Sequence, residues 1–312
     1  MLKKIELLMD NLNNAIVGKK DVVENVIIAL ISNGHLLIED VPGVGKTTLA
    51  KALAKSLDLT YKRVQFTPDL TPSDIIGISV FDKDTGSFIF KKGPIFCNIF
   101  LADEINRTSP KTQSSLLQAM EEFEVSTENE HFLLERPFLV LATQNPIEYQ
   151  GTFPLPEAQL DRFFMKISIG YPNKNDEKII LRDYLKLKNL DNIEPVLSKT
   201  DLLFITKEVD EIITHDEIIE YIIDIVNMTR NYKSITLGAS PRASIDILKA
   251  SKAKAYLSNR NYVIHDDVKK IIFPVLRHRL VLSAEARLEK KDTDEVINEI
   301  IQRINIGARY VK

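Results

Sequence analysis

Two runs of residues in this chain have the types and spacing for phosphate chemistry. Gly43-Val44-Gly45-Lys46-Thr47 follows an apolar run at 35–39 and precedes an amphipathic stretch. Glycines let main-chain N–H groups converge on anionic oxygens at a helix N-terminus, Lys46 can reach terminal phosphates, and the Thr47 hydroxyl can ligate Mg²⁺. The full pattern, G-x-x-x-x-G-K-[ST], asks for glycine at position 40, where this chain has Asp40. The bland alternative is a glycine turn before a surface helix. The second run, Ile99-Phe100-Leu101-Ala102-Asp103-Glu104, ends in two carboxylates, the first 57 residues beyond Lys46. Side chains alternate along a strand, so both acids cannot hide on one face. They belong at the C-terminal edge, where open α/β sheets bind ligands. There Asp103 would hold Mg²⁺ through water and Glu104 would polarise an attacking water. Away from a phosphate loop, such a pair is more often two solvated acids opening a loop.

Three weaker signals gain from this company. Thr143-Gln144-Asn145-Pro146 caps the apolar run 138–142, and Asn145 is placed to hold the water or the γ-phosphate, although Asn-Pro alone favours a turn. Leu160-Asp161-Arg162-Phe163 carries an arginine at a helix end, by itself usually a surface or salt-bridged residue. In Gly238-Ala239-Ser240-Pro241-Arg242, Ser240 and Pro241 read as N-cap and first helical residue. Arg242 then sits in a first turn, where the helix dipole disfavours a cation without an anionic partner; an ATP phosphate would be one.

These residues need a scaffold, and the patterning supplies one. Apolar runs of strand length at 35–39, 61–66, 98–103, 138–143 and 164–169 alternate with helical patterns at 47–57, 111–123 and 157–163, as in a parallel α/β sheet. Residues 75–92, around Asp84-Thr85-Gly86, and 124–137 read as β-hairpin insertions. From about 175 onward apolar residues recur at three and four, so the tail reads as helical.

At 312 residues the chain suits about two domains. With 44% hydrophobic and 27% charged residues it has the balance of a folded globular protein, which excludes disorder and collagen. The net charge of −3 gives no overall field that would draw it onto nucleic acid. One cysteine, Cys97, cannot form an internal disulfide and reads as a small core filler, which fits a reducing cytoplasm. Five scattered histidines offer no metal framework beyond Mg²⁺ with a nucleotide. No apolar run approaches the roughly 18 residues of a membrane span. The N-terminal stretch reads as an amphipathic helix, with Ile5, Leu8, Met9, Leu12 and Ile16 at helical spacing.

Taken together, these pieces resemble the AAA+ ATPases, and more narrowly the MoxR family, over nearly the whole chain. The resemblance is carried by Ile16-Val17-Gly18-Lys19, the stretch from Glu39 through Thr47, Asp103-Glu104-Ile105-Asn106-Arg107, the stretch from Phe153 through Phe163, and Val275-Leu276-Arg277-His278-Arg279-Leu280. In that family Asp at the first phosphate-loop position is familiar. The implied fold is α/β: an AAA+ αβα P-loop domain over 1–172, with a five-stranded parallel sheet and two β-hairpin insertions, and an all-helical lid domain over 173–312. The implied ligands are ATP and Mg²⁺. The resemblance puts Val17 and Gly18 by the adenine, and Pro42, Gly43, Val44, Gly45, Lys46, Thr47 and Thr48 in Walker A. It makes Asp103 and Glu104 Walker B, with Thr47 and Asp103 toward the metal, Asn145 sensor 1, Arg162 the arginine finger and Arg242 sensor 2.

The activity so implied is ATP hydrolysis in a cytoplasmic homo-hexameric ring that remodels a protein client, in this family often one with a von Willebrand A domain, without membrane insertion. The ATPase subunit of a metal chelatase shares this machinery, and so does a nucleic-acid motor. Against the motor stands the hairpin at 121–136, where Glu121, Glu122, Glu124, Glu128, Glu130 and Glu135 precede the basic Arg136 and would repel phosphates. A small-molecule phosphotransferase would not need the acid pair followed by Asn145, Arg162 and Arg242.

Overall fold

The computed structural model describes residues 1–84, 86–127, 130–146, 151–185 and 193–304. Along the chain come β1 (Leu36–Glu39) and β2 (Tyr61–Gln65), the hairpin of β3 (Gly77–Asp82) and β4 (Ser87–Lys92), then β5 (Ile99–Asp103). The hairpin of β6 (Glu124–Ser126) and β7 (His131–Leu133) follows, then β8 (Leu139–Gln144) and β9 (Met165–Ile167). Helices α1 (Leu2–Ala15), α2 (Lys20–Ile31), α3 (Lys46–Ser56), α4 (Pro72–Ile76), α5 (Pro110–Glu122) and α6 (Glu157–Leu160) surround them. Five strands form a parallel sheet in the order β2-β5-β8-β1-β9.

The apolar runs are nearly continuous because both faces of this sheet are covered. Successive side chains point to opposite faces. Leu36, Ile38, Ile99, Leu101, Leu139 and Leu141 therefore join one core, shared with α1, α2 and α3. Leu37, Phe100, Ala102, Val140 and Ala142 join a second, shared with α5. Helix α5 starts where Ser109 accepts a hydrogen bond from the Thr112 N–H and Pro110 occupies the first turn, and it ends where Phe123 takes a left-handed φ of 54°.

The tail holds α7 (Lys174–Leu185), α8 (Lys199–Asp210), α9 (Asp216–Arg230), α10 (Pro241–Leu257), α11 (His265–Leu276), α12 (Ala284–Leu288) and α13 (Thr293–Arg303). Residues of α8 to α11 and α13 join the first core, so the tail packs on the face of the sheet that carries α2. The tail is not wholly helical. β10 (Ile235–Leu237) and β11 (Val281–Leu282) pair antiparallel within it. Two other expectations need correction. Residues 75–76 close α4 rather than open the first hairpin, because Pro72 and the Thr71 and Asp74 capping box start a helical turn there. The helix expected over 157–163 ends at Leu160, because the Asp161 side chain is drawn into contacts with the tail. Thr85 in the first hairpin turn and Glu128 in the second lie outside the described residues.

Candidate active site

The phosphate loop leaves the C-terminal end of β1 and enters α3. Gly43 and Gly45 take left-handed φ of 84° and 99°, a region that disfavours side chains. A Cβ on Gly43 would meet nothing within 4 Å, so open space lies over the loop there. A Cβ on Gly45 would lie 3.2 Å from Ile16 Cδ1, which brings the 16–19 segment against the loop. Val17 is half-buried, Gly18 is exposed with a Cβ position filled by the Asp176 carboxylate, and Lys19 Nζ donates to the Tyr171 carbonyl at 2.8 Å. Pro42 is exposed, and Val44, Thr47 and Thr48 are half-buried around Lys46. Lys46 Nζ donates to the Asp40 carbonyl at 2.8 Å. Burial holds its ammonium pKa below the ordinary lysine value, against the attraction of Asp40, Asp103 and Glu104.

Asp40 explains its own departure from the glycine pattern. Its side chain is buried and accepts hydrogen bonds from the Ser168 hydroxyl at 3.0 Å, the Gly170 N–H at 3.0 Å and the Ile169 N–H. The carboxylate thus ties the loop to the chain leaving β9.

Parallel pairing of β2, β5 and β8 brings the acid pair to the same edge, with Gln65 in register with Asp103. Asp103 Oδ1 accepts from the Thr143 hydroxyl at 2.6 Å, and Oδ2 from Arg63 Nη2 at 2.6 Å. Glu104 has a left-handed φ of 59°, and its N–H donates to Thr143 Oγ1 at 2.9 Å. Its Oε2 accepts from Gln65 Nε2 at 2.6 Å and Arg107 Nη1 at 2.9 Å. Asn145, buried just past β8, completes the edge.

Arg162 and Arg242 are not part of that edge. His35, which precedes β1, donates from Nε2 to the Met120 carbonyl at 2.9 Å and accepts the Phe164 N–H on its own carbonyl at 2.9 Å. The end of α5 and the segment before β9 therefore lie at the N-terminal edge of the sheet. There Glu121 pairs with both arginines, Arg162 Nη1 at 3.2 Å and Arg242 Nη2. The anionic partner that the first turn of α10 requires is thus a protein carboxylate. By strand rise, the four steps along β1 from Leu36 to Asp40 put about 13 Å between the two edges. Ser240 stands at the N-cap position of α10, but its hydroxyl donates to Asp161 Oδ2 at 2.8 Å instead of capping the helix.

Sequence reasoning missed Arg63, Gln65 and Thr143, which hold the acid pair. Thr143 was visible as the polar end of an apolar run, whereas Arg63 and Gln65 lie on an edge strand whose outward charges look like ordinary solvated residues. The acidic stretch 121–136 is also less bare than its composition suggests, and its first two acids, Glu121 and Glu122, belong to α5 and not to the hairpin. Glu121 holds arginines, Glu124 approaches His131 at 3.2 Å, and Glu135 pairs with Lys199. Cys97 is buried, and burial pushes its thiol up to about 12, consistent with a packing role. Among the described residues, no helix is long and apolar enough to cross a membrane.

Comparison with known proteins agrees with this geometry. Residues 35–165 match the ATPase family associated with various cellular activities (AAA), and residues 227–300 match the AAA lid domain. YeaC of Bacillus subtilis, an uncharacterised protein, is 47% identical over 301 residues, covering 96% of this chain and 94% of its own. Chaperone MoxR1 of Mycobacterium tuberculosis is 41% identical over 298 residues, covering 93% of this chain and 78% of its own. A crystal structure of a protein from Cytophaga hutchinsonii, provisionally described as an ATPase, superimposes with a TM-score of 0.90 at 40% identity, covering 97% of this chain and 95% of that one. With the phosphate loop, the acid pair and the helical tail in place, the chain belongs to the MoxR family of AAA+ ATPases and is an ATP hydrolase.

Proposed function

We propose that this chain is one subunit of a homo-hexameric, cytoplasmic ring that uses ATP hydrolysis to remodel or activate a protein partner, a von Willebrand A domain protein being the class to test first. Residues 1–172 form its nucleotide-binding domain and 173–312 its lid. One observation carries the reading: Lys46, Asp103 and Glu104 stand at one edge of the sheet, whereas Arg162 and Arg242 share Glu121 at the other. A centre that needs both sets is completed only between subunits, with the arginine pair of one facing the phosphate loop of the next. The chaperone name of the MoxR1 relative supports a protein client.

The residues fit the nucleotide and its metal. Gly43 leaves open space for phosphates, the left-handed turns at Gly43 and Gly45 suit a loop whose main-chain N–H groups face them, and Val17 and Gly18 follow Ile16, which packs by that loop, for the adenine. The Thr47 hydroxyl and the Asp103 carboxylate are the hard oxygen donors that Mg²⁺ takes, and Mg²⁺ bound there would neutralise phosphate charge. Lys46 binds the β- and γ-phosphates. Glu104, held at Oε2 by Gln65 and Arg107, orients the water and takes its proton, and Asn145 helps place that water. Glu104→Gln tests this. The variant should bind Mg·ATP as the wild type does, release phosphate at least a hundredfold more slowly, and retain a client protein when ATP is present. Undiminished phosphate release would move the base elsewhere, and equal damage to binding would exchange the roles of the two acids.

A further inference from the structure

The Val275-Leu276-Arg277-His278-Arg279-Leu280 motif contains a charge that the fold has withdrawn from water. The Arg279 side chain is 1% exposed. It lies against two carboxylates, with Nε 3.0 Å from Asp161 Oδ1 and Nη2 2.5 Å from Asp246 Oδ2. The same Nη2 donates to the carbonyls of Asp161 at 3.2 Å and Phe163 at 2.7 Å, so the guanidinium brackets Arg162 from both neighbours in the chain. Asp246 lies four residues beyond Arg242 on α10, on the same face of that helix. Ser240, two residues before Arg242, donates to the other oxygen of Asp161.

A buried ion cluster is weak evidence for stability, because desolvation offsets most of its attraction. Its sharper effect is to fix one geometry. What this cluster fixes is the segment carrying Arg162 relative to the helix carrying Arg242. We propose that Arg279 is a positioning residue that, through Asp161 and Asp246, presents Arg162 and Arg242 as one preset pair to the neighbouring subunit's nucleotide. The inference rests on the between-subunit reading above. The buried Arg279 is held by protein carboxylates and carbonyls, and its effect falls on the finger that its own subunit donates.

Arg279→Lys keeps the charge but cannot span both carboxylates and both carbonyls, because an ammonium is a point donor and not a planar fork. Misplacing a catalytic group by about 1 Å can cost about a hundredfold, within the roughly 10³–10⁵ that a finger supplies. The variant should form rings of wild-type mass, keep KM for ATP within about threefold, and lose kcat by about ten- to a hundredfold. Mixed rings then locate the defect. Arg162→Ala with Lys46→Ala is the control pair, and it should regain hydrolysis. Arg279→Lys should regain activity with Lys46→Ala, whose finger is intact, and gain nothing with Arg162→Ala.

If the control pair stays inactive although co-assembled, the between-subunit reading falls and this inference with it. If the control recovers, the inference alone is overturned by wild-type kcat in Arg279→Lys, by rescue with Arg162→Ala, or by rescue with neither partner. Asp161→Asn, which keeps an acceptor for Ser240 and loses the ion pair, should give the same pattern. It replaces Arg279→Lys in every comparison if that variant fails to fold.

Discussion

Replacing Asp40 by glycine would bring the phosphate loop closer to the common pattern, and the structure predicts that it damages the protein. The Asp40 carboxylate accepts from the Ser168 hydroxyl and from the N–H groups of Ile169 and Gly170. The hydroxyl can turn to another partner, but the two main-chain donors cannot. A donor left without its partner costs about 1–3 kcal/mol, and glycine adds up to about 1 kcal/mol by loosening the unfolded chain. Asp40 is not among the residues with positive φ, so glycine relieves no strain there. Two such donors and the glycine together give an expected loss of about 2–7 kcal/mol, a large share of the 5–15 kcal/mol typical of folded proteins. The chain has no tryptophan, so urea unfolding is best followed by circular dichroism, with Mg·ATP affinity measured by calorimetry. Asp40→Gly should unfold about 0.7 M or more earlier in urea and bind Mg·ATP about tenfold or more weakly. Unfolding and affinity both equal to wild type would refute the anchoring role.

Lys46→Ala should lose Mg·ATP binding by calorimetry, since Lys46 is the side-chain cation at the loop, and unchanged binding would overturn the phosphate-loop assignment. His35 is buried with both ring nitrogens hydrogen-bonded, and burial lowers its pKa from 6.5 to about 4. The unfolded chain thus binds the extra proton first: the stabilisation is complete above pH 6.5 and is lost as the pH falls toward 4, by about 3 kcal/mol at 1.36 kcal/mol per unit. His35→Leu should make the stability profile shallower across that window, leaving the share of the likewise buried His278, and an unchanged slope would exclude His35 as a source. DNA and RNA should leave the ATPase rate unchanged, whereas a several-fold stimulation at moderate salt would favour a nucleic-acid motor over protein remodelling.

How legible each part was depended on how far its determinants lie along the chain. β1, β5 and β8 could be read because burial on both faces makes them continuously apolar, and the phosphate loop and the acid pair are each a contiguous run of residues. Asp40 looked like a deviation because its three donors lie 128 to 130 residues away. Ser240 read locally as a helix cap, but its hydroxyl serves Asp161, 79 residues back in the chain. The same contacts end α6 three residues before the expected position. A helical pattern reports propensity, and a tertiary ion cluster overrides it. Arg279 stood out only as part of the family-like Val275–Leu280 stretch, because nothing local shows that two distant aspartates enclose it.

The proposed between-subunit centre, with the phosphate loop and the arginine pair at opposite edges of the sheet, would make hydrolysis a property of an assembled ring and not of the subunit. ATPase activity per subunit, measured across a dilution series together with particle mass, tests this directly. The rate should fall toward zero as rings dissociate and track the assembled fraction at every concentration. A monomer that hydrolyses ATP at the same rate per subunit as the ring would contradict it.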